Sequence, residues 1–104
     1  MAANTLAPID IEINNQKAAL QKLKVQVNTM ILSFGVMTAK DRARNINEIQ
    51  KAMESFQRFF DKLKGANIQN TGTRFAADNL KMSFYSLKGQ WTKFEMSLNS
   101  TRAS

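Results

Sequence analysis

The chain contains neither cysteine nor histidine among its 104 residues. The absence of cysteine excludes disulfide bonds and thiolate metal sites. The absence of histidine removes the commonest general base and the commonest metal ligand. One proline and four glycines also leave few turn signals for a fold of many strands. Together these absences argue against metal centres, disulfide scaffolds and β-rich folds.

Catalytic patterns are equally scarce. The eight Asp and Glu residues are dispersed along the chain, and with no histidine they cannot form the Glu-x-x-His pairs of di-iron helical bundles. The stretch GANIQNTG at 65–72 lacks the lysine of a phosphate-binding loop. We therefore expect a protein that is not an enzyme, with no catalytic, cofactor-binding or metal-binding residues.

The sequence offers no obvious membrane span or export signal. Its most apolar window, 25–37, is interrupted by polar residues such as Gln26, Asn28 and Ser33, and it is shorter than the roughly 20 residues that a membrane span requires. The first residues lack the basic and apolar regions of a Sec signal peptide. We expect a cytoplasmic protein, or one exported by a non-Sec route.

Three segments carry apolar residues at alternating spacings of three and four, the pattern of helices packed around a shared core. The pattern runs from Ile9 to Met37, from Ala39 to Leu63 and from Thr73 to Thr101. Short links between long helices make neighbouring helices antiparallel. The sequence thus predicts an all-α fold: an elongated up-down-up antiparallel three-helix bundle with helices at about 8–36, 39–64 and 72–101. We expect one helical domain over 1–104, with frayed ends at 1–7 and 101–104.

Capping residues support these boundaries. Gly35 is a candidate C-terminal cap for the first helix. Thr38 and Asp41 have the spacing of a capping box at the start of the second helix. Thr71 or Thr73 is the expected N-cap of the third helix.

The residues that face directly away from the core recur every seven positions on each helix, and we call each such set an outer column. The second outer column is charged, with Arg44, Lys51 and Arg58. The first and third are apolar instead. The first outer column consists of Ile11, Ala18, Val25 and Leu32, with Ala39 at the next step, and the third of Phe75, Met82, Gly89 and Met96.

A helix that is apolar on two opposite sides is either buried on both or exposes a stripe that needs a partner. Gly89 costs its helix about 1 kcal/mol relative to alanine, and it would let another backbone approach closely. We therefore predict an interface at Ile11, Val25, Leu32, Phe75, Met82, Gly89 and Met96, occupied by further copies of the chain or by another protein's helix. The alternative is an irregular bundle in which some of these side chains lie in a wider core or under the chain termini.

Fifteen Lys and Arg residues against eight acids give a net charge of +7. This charge supports a second function, that of a nucleic-acid-associated protein that binds the phosphate backbone without sequence specificity. Its candidate contacts are Lys40, Arg42, Arg44, Lys51 and Arg58. A third reading is a secreted, host- or membrane-directed helical protein whose outer columns contact lipid.

Overall fold

The computed structural model describes residues 8–66 and 68–103, with the side chains of 8–66 and 68–99. Helix α1 spans Pro8–Ser33 and continues into a short 3-10 turn, Phe34–Val36. Helix α2 spans Ala39–Lys64 and α3 spans Thr71–Ala103, and the described residues include no strand. The predicted all-α three-helix bundle is confirmed.

The bundle is elongated. Its radius of gyration is 16.8 Å, against about 13 Å for a compact domain of this length. Its principal extents are 61 × 20 × 17 Å, because the helices lie side by side and α3, with 33 residues, is about 50 Å long. Helix α1 packs against both other helices, and α2 and α3 contact each other less.

The core is built from the predicted stripes. Its most deeply buried side chains include Val27 and Met30 of α1, Ile49 and Phe60 of α2, and Phe84 of α3. The Phe84 ring lies 5.4 Å from the ring centroids of both Phe56 and Phe60, so aromatic packing joins α2 to α3. Phe59 is buried as well, although the spacing of three and four on α2 runs through Phe56 and Phe60 and does not include it. The core therefore follows the heptad pattern closely, with one additional aromatic side chain.

The caps agree with the sequence at one connection and differ at the other. The Oγ1 of Thr38 accepts a hydrogen bond from the backbone N–H of Asp41 at 3.1 Å, which confirms Thr38 as the N-cap of α2. At α3 the cap is Asn70, whose Oδ1 accepts from the Thr73 N–H at 3.0 Å. The expectation of Thr71 or Thr73 at this position was wrong, because Thr73 is buried and donates its hydroxyl to Asp10 Oδ1 at 2.6 Å.

The helix ends also differ slightly from the predicted ones. Helix α1 ends at Ser33 and Gly35 lies within the 3-10 turn that follows, so the expectation of Gly35 as the C-terminal cap of α1 is wrong. Ala39 opens α2 and does not extend α1. Helix α3 ends at Ala103, two residues beyond the expected end. The segment 1–7, expected to be frayed, lies outside the described residues, and fraying of 101–104 stays a prediction.

Candidate interaction surface

The first outer column lies on the solvent side of α1. Val25 is 64% exposed and Leu32 is 86% exposed, and Ile11 and Ala18 are exposed too. On the opposite side of the same helix, Leu20 and Val27 are buried in the core. Helix α1 is therefore apolar on two sides, and the described part of the chain covers only one of them.

The third outer column repeats this arrangement on α3. Phe75, Met82 and Met96 are 67%, 70% and 64% exposed. Phe84 lies only two positions after Met82, on the opposite side of the helix, and is fully buried. Position around the helix, and not residue type, decides which side chain enters the core. Burial of the outer columns in the core of the bundle is therefore wrong, whereas cover by the chain termini at 1–7 and 101–104 concerns side chains outside the described residues.

Gly89 lies within the third outer column, and no contact among the described residues requires a glycine there. Its φ is not positive, so an L side chain could adopt the same backbone conformation. A Cβ atom built on Gly89 would meet no atom within 4 Å. The helix therefore carries the cost of a mid-helix glycine with no compensating contact from its own chain.

The two apolar columns have exposed neighbours of similar character. Tyr85, next to the third outer column, is 41% exposed, and Lys81 Nζ lies 5.8 Å from the centroid of its ring. Val36 in the 3-10 turn is 89% exposed. Ile31, which precedes Leu32 of the first outer column, is instead half-buried and packs against the core.

The second outer column, on α2, has the character of a solvated face. Arg44, Lys51 and Arg58 are all exposed, and Arg44 forms an ion pair with Asp41 at 3.2 Å, one helical turn away. Exposed pairs of this kind contribute at most about 1 kcal/mol. The outer column of α2 is charged, so its exposure to water leaves no large apolar side chain unburied.

The candidate polyanion contacts divide into different environments. Arg42 is half-buried, its Nε donates to the Phe34 carbonyl at 2.7 Å, and its guanidinium lies 4.3 Å from the Phe34 ring centroid. Arg42 therefore holds the α1–α2 connection together. Lys40, Lys51 and Arg58 remain on the surface. Nucleic-acid binding by these residues stays a prediction from charge.

A groove of about 450 Å³ runs between α1 and α3, on the side away from α2. Amide side chains and two lysines, Lys17 and Lys24, line much of it, and Met82 of the third outer column forms part of its edge. No aspartate or glutamate lines it. The sequence did not reveal this groove, because amides and serines give no apolar periodicity. The groove therefore places amides and two lysines between the two apolar columns, together with apolar side chains such as Leu20 and Leu80.

The carboxylates of the bundle are dispersed. The described residues contain no group of three or more Asp and Glu side chains arranged to hold a metal ion. Several carboxylates instead make surface contacts, such as Glu12 with Lys62 at 3.4 Å and Asp61 with Lys64 at 3.9 Å. Within the same part of the chain, no helix has both the length and the apolarity to cross a membrane.

Comparison with known protein families, with curated proteins and with solved structures finds no match to this chain.

Proposed function

We propose that this protein is a non-enzymatic structural protein that assembles with further copies of itself through the outer columns of α1 and α3. The support is the coexistence of two exposed apolar columns with a mid-helix glycine that has no role within its own chain. The helix of another protein is the alternative occupant of the same surface.

The apolar columns make association energetically reasonable. Each large side chain left in water forgoes about 1.5–3 kcal/mol of burial. Single exposed apolar residues are normal on protein surfaces and need no explanation. Here, however, the residues recur every seventh position along two helices, so one partner helix can cover a whole column at once.

The composition of the third outer column suits a helical partner. A glycine on a helix surface lets a second backbone approach closely, and methionine adapts its flexible side chain to irregular gaps. Met82 and Met96 lie one heptad before and after Gly89. The column therefore offers a shallow notch between two adaptable side chains.

Sedimentation of the wild type and of a Leu32→Glu/Met82→Glu variant tests the proposal. Both replaced residues are at least 70% exposed, so the variant keeps the helical content of the wild type by circular dichroism. Association should weaken by at least about two orders of magnitude, because each contact loses two apolar groups and gains two buried carboxylates.

The matched control is an Asn47→Glu/Ser55→Glu variant, which adds two carboxylates at exposed positions of α2. It should associate like the wild type. Equal association of the wild type and the Leu32→Glu/Met82→Glu variant would show that the apolar columns are not the interface. Association that requires a different protein would identify the alternative occupant.

A further inference from the structure

We infer that the first outer column of one copy pairs with the third outer column of the next copy, with the two helices parallel and level with each other. This inference rests on the proposed self-assembly and specifies its geometry. It follows from the register of α1 and α3 within one chain, from the sizes of the column residues and from the polar residues beside them.

The register is fixed by two hydrogen bonds between parallel helices. The hydroxyl of Thr73 donates to Asp10, and the amide of Gln90 donates to Asn28 Oδ1 at 3.3 Å. These partners are 63 and 62 positions apart in the chain. Corresponding members of the two outer columns are 64 positions apart, so they lie at nearly the same height, within about 3 Å along the bundle axis.

Column residues at equal height are complementary in size. Ala18 is level with Met82, and Val25 is level with Gly89. A copy placed beside another without an axial shift therefore sets each small residue against a larger one. The end pairs are Ile11 with Phe75 and Leu32 with Met96, which give apolar contacts at both ends of the seam. Such interdigitation is how packed helices fill the space between them.

The residues beside the columns are compatible with the same pairing. In a parallel helix pair, the residue three positions after a column member lies beside the one four positions after its counterpart. This places Asn15 beside Asp78 and Lys22 beside Tyr85, giving a hydrogen bond and a cation–π contact. The other flanking pairs are uncharged or carry one charge: Asn14 with Asn79, Gln21 with Ser86, Asn28 with Lys93 and Thr29 with Thr92.

Other pairings are less favourable. An antiparallel pair of α1 helices places Lys22 opposite the same lysine of the partner copy, and a parallel pair of identical columns places Gly89 opposite Gly89. Antiparallel pairing of two α3 helices avoids both problems, but it leaves the first outer column in water. Pairing of α1 with α3 covers both columns with a single kind of contact.

A contact between two different surfaces does not close on two copies. Each chain keeps one free first column or one free third column after its first contact, because the columns lie on different helices. The assembly therefore grows beyond a dimer, into a ring or a filament.

A complementation experiment tests the pairing. One variant, Val25→Glu/Leu32→Glu, blocks the first outer column, and another, Met82→Glu/Met96→Glu, blocks the third. All four residues are more than 60% exposed, the least exposed at 64%, so both variants should fold. Each should be monomeric alone, because a contact needs one column of each kind. Mixed together, they should form a complex of one copy of each and nothing larger.

Cysteine cross-linking provides a second readout, since the natural chain has no cysteine. Ala18→Cys and Met82→Cys variants, which leave Gly89 unchanged, should form the mixed disulfide under oxidising conditions at least ten times faster than either variant forms its own. Dimers of the first-column-blocked variant alone, or no mixed complex and no preferred mixed disulfide, would overturn the pairing. Wild type that associates in this case leaves the proposed self-assembly standing, whereas strictly monomeric wild type overturns both.

Discussion

Helices α2 and α3 treat their outward faces in opposite ways. The second outer column consists of the cations Arg44, Lys51 and Arg58, whereas the third carries Phe75, Met82 and Met96 at the equivalent positions. Both columns are exposed to solvent, and both helices bury aromatic residues on their inner faces. The inner faces therefore account for the fold. The outer face of α2 is charged, whereas the outer face of α3 is apolar and is the one that we propose a partner covers.

The largest difference in stability is expected between alanine variants of two phenylalanines on α3. Phe84→Ala should lower the free energy of unfolding by about 3–5 kcal/mol, because the ring is fully buried among other aromatic rings. Phe75→Ala should change it by no more than about 0.5 kcal/mol in the monomer, because the side chain is 67% exposed. Urea denaturation at a concentration where the protein is monomeric measures both. Similar losses for the two variants would show that Phe75 belongs to the core.

A smaller difference in stability is expected between alanine variants of two arginines near the start of α2. Arg42→Ala should cost about 1–3 kcal/mol, because it removes the bond to the Phe34 carbonyl and the contact with the Phe34 ring. Arg44→Ala removes an exposed ion pair and should cost about 0.5 kcal/mol or less. Thermal denaturation of the two variants distinguishes them, and equal effects would contradict the structural role given to Arg42.

The smallest effect is expected at Gly89, and it has opposite signs in the two states. Gly89→Ala should stabilise the monomer by up to about 1 kcal/mol, because alanine is the better helix former and the new Cβ meets open space. The same change should weaken association, because the notch is filled. Ser55→Ala, on the exposed face of α2, is the control that should raise helix stability slightly and leave association unchanged. Stronger association of Gly89→Ala would exclude close approach at this position.

Much of the fold could be predicted because heptad spacing records burial directly. Residues such as Leu20, Ile49 and Trp91 lie in the core as the spacing requires. Local connections were less predictable. Asn70 and Thr73 both have side chains able to cap a helix, and the choice depends on Asp10, which reaches Thr73 from 63 positions away.

The exposure of the outer columns was also predictable, because the spacing of the core residues determines which positions face away from the core. Their surroundings were not. The groove between α1 and α3 depends on how two helices distant in sequence lie against each other. The contacts of Arg42 with the carbonyl and the ring of Phe34 likewise depend on the path of the α1–α2 connection. Tertiary contacts of this kind leave no periodic signal in the sequence.

The central claim is that the outer columns of α1 and α3 are a surface for self-assembly. Its most direct test is the mass of the wild-type protein in solution, measured by sedimentation equilibrium from about 1 µM to about 1 mM, a span that covers typical weak to moderate affinities. We predict an average mass that rises with concentration and exceeds twice the 11.8 kDa of one chain. A constant mass of 11.8 kDa over the whole range would contradict the claim.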